Sequence, residues 1–158
     1  NPRGQLYLVQ RADKEENPFL FDKTVGGHVS SGESFDETII RETKEEIGVD
    51  LELCSSFSYP YKLQEVNLKE KAIAKLVNFD LWYPSIRQVK DGSFWIKRVQ
   101  LAAYIGHYDG DIQFEDGEAL SLQLLSKSEL WNDIVQNPEK YTTDLKWWVK
   151  NYHTYFWS

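Results

Sequence analysis

The chain has a single cysteine, no methionine and only five prolines among its 158 residues, and each shortage excludes something. Cys54 cannot form a disulfide within the chain, so the fold must rest on a packed core, and a reduced, cytoplasmic compartment is expected. A core is feasible at this length, because a compact chain of this size hides roughly 70% of its unfolded surface. No apolar run approaches the ~18–20 residues of a bilayer span, so no membrane partner is expected. No basic-then-apolar leader opens the sequence. Positive charge is also short: 18 Lys and Arg stand against 25 Asp and Glu, a formal net charge of −7. That argues against nonspecific nucleic-acid binding, which needs a basic footprint. It does not exclude anionic small molecules, because a bound divalent cation reverses the local sign. The missing methionine and the start at Asn1 leave two readings open: a fragment, or a sequence from which modified methionines have dropped out. On either, an N-terminal strand can be missing.

What is present is ordinary globular material, 41% hydrophobic and 27% charged. Length alone predicts one domain over residues 1–158. Gln5–Arg11 reads as a strand, and 11–21 as a loop. Ser34 and Glu37 have the spacing of a capping box. Gly48 supplies a helix stop, since glycine accepts the left-handed C′ conformation. The helix between them carries an apolar stripe of Ile39, Thr43 and Ile47, with Ile40 beside it. Glu37 stands four residues before Arg41, the favourable order for an ion pair. Val49–Tyr59 reads as a strand, Glu65–Ile73 as a short helix, and Val77–Tyr83 as a half-buried strand ended by Pro84. Asp91-Gly92 predicts a hairpin turn between Ile86–Lys90 and Phe94–Ile105. Asp109-Gly110 and Asp116-Gly117 mark further turns, and Leu120, Leu122 and Leu124 alternate after them. Ser126 and Glu129 form a second capping box, opening a helix that Asn137-Pro138 closes. A last helix is expected from about Asp144 to Tyr155, with Leu145, Trp148, Val149, Tyr152 and Phe156 near one face. Strands mixed with helices imply an α/β or α+β layered domain.

The chemistry concentrates in GHVSSGESFDETIIRETKEEIGV, residues Gly27 to Val49. Glu42, Glu45 and Glu46 lie at i, i+3 and i+4 and share one helix face. Three like charges on adjacent turns repel. A Mg²⁺ or Mn²⁺ ion, which prefers carboxylate oxygens and keeps waters and substrate phosphates as further ligands, would turn that repulsion into a site. Taken alone, such a face is more often merely solvated. The wider pattern reverses that weighting. The stretch resembles the Nudix box, G-x5-E-x7-R-E-U-x-E-E-x-G-U, with U bulky and aliphatic. Gly27, Glu33, Arg41, Glu42, Glu45, Glu46 and Gly48 fill all seven fixed positions, and Val49 fits the last U. Thr43 at the first U is a mild departure. At ~7% usage per residue type, seven matches arise by chance roughly once in 10⁸ starting positions.

The resemblance implies a Nudix-type α/β/α sandwich with a mixed β-sheet and a loop-helix-loop catalytic motif. It also implies hydrolysis of a diphosphate joined to a nucleoside or another group, with Mg²⁺ or Mn²⁺ held by Glu42, Glu45, Glu46 and a main-chain carbonyl at Gly26 or Gly27. Gly27, Glu33, Arg41 and Gly48 then hold the motif in shape, Glu33 pairing with Arg41. The proton acceptor is left open among Glu42, Glu45, Glu46 and a downstream acid, first Glu118 and then Glu115.

Arg11, Lys14, Phe21-Asp22 and Gly26-Gly27-His28-Val29 together resemble the isopentenyl-diphosphate-isomerase-like branch. The isomerases carry a catalytic cysteine where this chain has Gly26, and they interrupt the acids that are complete here, so a hydrolase is favoured over an isomerase. Arg11, Lys14 and His28 are the candidate substrate contacts on this analogy, each weighed against a role in packing or solvation alone. His107 and His153 have no metal-ligand spacing. Trp148 reads as core, with Trp147 and Trp95 more open to a role in stacking. The segment Ser55–Lys97 is long for its place and is read as shaping substrate choice or dimer contacts. The expected partner is a small-molecule diphosphate, with a homodimer possible. A nucleotide or sugar-nucleotide sensor without catalysis is the remaining rival, and the full acid set argues against it.

Overall fold

The computed structural model describes residues 1–114, 117–152 and 154. Glu115, Asp116, His153, Tyr155 and Phe156, each named above, lie outside the described residues. The strands are β1 (Gln5–Arg11), β2 (Phe21–Lys23), β3 (Asp50–Leu53), β4 (Lys71–Gln88), β5 (Phe94–His107) and β6 (Ala119–Ser126). The helices are α1 (Phe35–Ile47), α2 (Tyr59–Glu65), α3 (Lys127–Gln136) and α4 (Thr143–Tyr152). The α/β class is as expected. The strands form two three-stranded sheets, ordered β2-β1-β6 and β3-β4-β5. Two compact units result, one built on residues 25–79 and 102–114, the other on 3–24, 80–101 and 117–152.

In the first unit, α1 is delimited by short-range chemistry. The Ser34 side chain accepts from the Glu37 N–H, and the Glu37 carboxylate accepts from the Ser34 N–H at 2.8 Å. Gly48 ends the helix at φ 70°, a left-handed conformation that costs a residue with a Cβ about 1 kcal/mol or more. Thr38, Thr43 and Ile47 form the buried stripe. Ile40 is 41% exposed rather than part of it. The expected Glu37–Arg41 pair gives way as well, because the cap holds the Glu37 carboxylate. After α1 the chain enters β3, which runs parallel to β4 with Asp50 opposite Lys71 and Leu53 opposite Ala74. Parallel neighbours need a crossover of a dozen or more residues, and the segment from Cys54 to Glu70, with α2 inside it, supplies one. The core here is Ile47, Val49 and Ala72, with Val25, Leu51, Tyr108, Ile112 and Phe114 packed on them.

Three expectations fail along this stretch. The strand expected over Val49–Tyr59 stops at Leu53, and Tyr59 instead opens α2, with Pro60 in its first turn. The helix expected over Glu65–Ile73 is displaced: α2 ends at Glu65, and Lys71–Ile73 already belong to β4. Pro84 does not end β4, which continues to Gln88. Pairing with β3 ends at Ala74, so Pro84 lies where β4 lacks that neighbour and a missing N–H is tolerated.

The second unit centres on β1, antiparallel to both β2 and β6, with Val9 opposite Asp22 and Leu122. β2 begins at Phe21, where the expected loop ends, and its three residues are too few to show a periodicity. The Asp91-Gly92 turn forms as expected, with Gly92 at φ 84° and its N–H donating to Val89 O at 2.9 Å. The Ser126 capping box opens α3. Leu8, Leu130, Tyr141, Leu145 and Val149 form the core of this unit, and Trp148 is 8% exposed, a core residue as read. On β6 the alternation shows in the strand but not in burial, since Leu120 is 56% exposed. Among the described residues no helix is long and apolar enough to cross a membrane.

Candidate active site

The site is built on α1 and the loop before it, both in the first unit. Arg41 organises it. Its Nε and Nη2 donate to Glu33 Oε1 and Oε2 at 2.9 and 3.0 Å, a bidentate grip that only a planar guanidinium makes. Nη2 also donates to the His28 carbonyl at 3.5 Å. Nη1 is 2.9 Å from Glu42 Oε1 and 2.7 Å from Glu45 Oε2. These contacts match the five N–H donors of the guanidinium. Burdened with so many acids, and with Glu33 first among them, Arg41 has its pKa raised above its ordinary value.

Glu33 is tied down as firmly. Besides Arg41 it accepts from the Thr38 hydroxyl at 2.8 Å and the Ser30 N–H at 3.3 Å. The Arg41 hydrogen bonds, followed by that of Thr38, hold its carboxyl down at about 2, against an ordinary 4.5. The loop 28–33 is thereby pinned to the second turn of the helix. Thr38 was not singled out in the sequence. The available sign was its place five residues after Glu33, on the turn that faces the loop.

The two glycines before the loop explain themselves by contact. A Cβ on Gly27 would overlap the Glu42 carboxylate, so only glycine lets that side chain lie against the backbone. The Gly26 N–H donates to Glu46 Oε2 at 3.2 Å. Glu42 and Glu46 are thus drawn back to the loop, while the Glu45 side chain is 55% exposed and that of Glu42 only 15%. The first turn of α1 is fixed from the other side, with Phe35 edge-on to Phe79 at 5.2 Å and the Tyr104 hydroxyl donating to Asp36 at 2.5 Å.

Among the described residues no three acidic, histidine or cysteine side chains are gathered closely enough to hold a metal ion as they stand. The donor set still fits a hard divalent cation: all side-chain donors are carboxylate oxygens, and two of them already converge on one positively charged nitrogen of Arg41.

Of the remaining candidates, Arg11, Lys14 and Glu118 lie in the second unit and His28 in the first. Arg11 pairs with the buried Asp22 at 3.7 Å, and its Nη2 donates to the Glu16 carbonyl at 3.2 Å. Lys14 forms an ion pair with Glu118. The Ala12 N–H donates to the Glu118 carbonyl at 2.8 Å, so that acid is attached to the loop after β1 by main chain as well. His28 is exposed and enters the network through its carbonyl. His107 is spent structurally, its Nδ1 2.7 Å from the Tyr59 hydroxyl, and burial lowers its pKa.

Comparison with known proteins agrees with this geometry. An uncharacterised Nudix hydrolase of a Nostoc species is 30% identical over 112 residues, which is 66% of this chain and 63% of that protein, so the match spans less than two thirds of this relative's length. An 8-oxo-dGTP diphosphatase of Haemophilus influenzae is 30% identical over 106 residues, 65% of this chain and 74% of the relative. A solved structure from Deinococcus radiodurans shares the fold, with a TM-score of 0.58 and 24% identity over 94% of this chain and 74% of that one. The NUDIX domain family model matches residues 1–147, running through both units and nearly the whole sequence. With the box complete from Gly27 to Gly48 and its loop fastened to its helix as the motif requires, the chain belongs to the Nudix family.

Proposed function

We propose that the chain is a single Nudix domain that hydrolyses a diphosphate linkage in a nucleoside diphosphate derivative or a related organic diphosphate, with a divalent cation, Mg²⁺ or Mn²⁺, as cofactor. Hydrolases of this family generally use a divalent metal. Glu42, Glu45 and Glu46, with the main-chain oxygen of Gly26, are the groups that would hold it here. The observation that carries this reading is the placement of Arg41 Nη1, 2.9 Å from Glu42 and 2.7 Å from Glu45. The two carboxylates already meet at one cationic point.

When bound, such a cation neutralises the diphosphate and makes hydroxide available near neutral pH. The protein's own groups do the rest. Gly27 lets Glu42 lie against the loop, and Glu46 is oriented by the Gly26 N–H. Glu45 is the most exposed of the three and is assigned as proton acceptor, since a base must reach solvent and substrate. Glu33, Arg41, Gly27 and Gly48 keep the motif in shape. Arg11, Lys14 and His28 are the candidate substrate contacts and Glu118 a further candidate acid; Arg11 is paired here with Asp22 and Lys14 with Glu118.

The test is turnover on a panel of diphosphates with Mg²⁺ and with Mn²⁺, read by phosphate release and product mass. Nucleoside triphosphates come first, following the activity named for the Haemophilus relative. Glu46→Gln keeps the size of the side chain and removes one ligand charge. Turnover on a panel member should fall by roughly 10²-fold or more in this variant, since even groups that only orient metal ligands are worth 10–100-fold. Binding of a nucleotide without turnover of any panel member would leave a sensor instead.

A further inference from the structure

Arg41 holds the two halves of its guanidinium to different tasks. Nε and Nη2 are gripped by Glu33, which is itself fixed by Thr38 and Ser30. Among the described residues Nη1 serves Glu42 and Glu45 alone. Glu42 and Glu45, which Nη1 engages, are two of the residues assigned to the cation above. A carboxylate oxygen 2.7–2.9 Å from an N–H cannot offer the same lone pair to a cation at about 2.0–2.1 Å, the Mg²⁺ ligand distance. Each carboxylate keeps a second oxygen, so the cation takes the two engaged oxygens only by displacing Nη1.

We infer that Arg41 is a built-in counter-ion for the site: its Nη1 occupies Glu42 and Glu45 until a divalent cation displaces it, while the Glu33 grip keeps the side chain in place. This rests on the metal reading given above. Two consequences have opposite signs. Without metal, Nη1 relieves repulsion among Glu42, Glu45 and Glu46 and holds the helix face together. With metal, the same contacts must be broken, and a positive charge remains close to the incoming one. Arg41 therefore weakens metal binding while it stabilises the metal-free protein. A residue that merely shaped the site would strengthen both.

The experiment compares wild type with Arg41→Gln by isothermal titration with Mn²⁺ and by melting with and without it. Arg41→Gln should melt lower without metal, bind Mn²⁺ roughly threefold to tenfold more tightly, and gain more melting temperature on saturation, a factor in keeping with two partly exposed ion pairs. Tighter binding by wild type than by the variant would overturn the inference. Should the variant not fold, the side chain can be followed in the wild type by nitrogen-15 NMR during a Mg²⁺ titration. The Nη1 protons should change and the Nε proton stay. An unmoved Nη1 at saturating Mg²⁺ would equally refute displacement. Absence of any heat and of any shift along α1 would instead remove the metal reading itself, and the exchange with it.

Discussion

Arg41 in the first unit and Arg87 in the second each answer several acids, but at different depths. The Arg41 side chain keeps 32% exposure and its partner Glu45 55%. Arg87 Nη1 lies 3.5 Å from Asp144 Oδ2 with only 18% and 7% exposure. Asp144 also accepts from the Tyr83 hydroxyl at 3.0 Å and from the Ser85 hydroxyl at 3.0 Å. Burial, followed by the Asp144 charge and the hydrogen bond to it, pushes the Tyr83 hydroxyl above its ordinary pKa. The buried cluster therefore has one stable arrangement and a high cost of opening. The more exposed one is cheaper to open, because water replaces each lost partner.

Removing the buried acid tests the first half of that contrast and should have the largest effect. Asp144→Ala leaves Arg87, Tyr83 and Ser85 without their common acceptor, and breaking a buried pair in this way costs roughly 3–5 kcal/mol. Urea or thermal unfolding should show it plainly. A loss below about 1 kcal/mol would mean that water reaches the cluster and that the two networks differ less than their burial indicates. Gly27→Ala tests the second half. Its Cβ meets the end of a flexible glutamate rather than fixed backbone, so Glu42 can rotate away and stability should change little. Turnover should fall by about 10²-fold, the scale of an ångström's misplacement of a reacting group. Equal damage to stability and turnover would show that the exposed network is as rigid as the buried one.

The contrast also explains what the sequence disclosed. The α1 caps, the Gly48 stop, the bounds of β1 and the Glu33–Arg41 pair depend on residues within eight positions of one another, and local chemistry makes them readable. The buried cluster joins Asp144 to Tyr83 across 61 positions, and Asp22 to Thr142 across 120. No periodicity in either segment announces such a pairing. In the sequence Asp22 stands out only beside Phe21, and Asp144 only as the start of a helix. The errors have the same origin. Placing α2 required seeing that Pro60 starts a helix rather than ends a strand, and running β4 through Pro84 required knowing that β3 leaves it at Ala74. Ile40 fits the apolar stripe by spacing, but the fold leaves it 41% exposed. In the candidate site, the fixed motif positions were legible. The division of labour within the Arg41 guanidinium was not, because it depends on rotamers.

Acid should separate the two networks most finely. The Glu33 carboxyl titrates at about 2 in the folded protein against an ordinary 4.5, chiefly through the Arg41 hydrogen bonds. A folded value below the unfolded one means that the unfolded chain takes up the proton first. The contribution of Glu33 is therefore complete above pH 4.5, declines as pH falls, and is exhausted below about 2. Glu33→Gln lacks this dependence, so the melting temperatures of wild type and variant should differ most near neutral pH and draw together between pH 4.5 and 2. The difference should be modest throughout, because the pair is only half-buried and is partly screened by water and salt. A gap that stays constant down to pH 2 would show that Glu33 acts through shape and hydrogen bonding alone, leaving Arg41 held by something other than its charge.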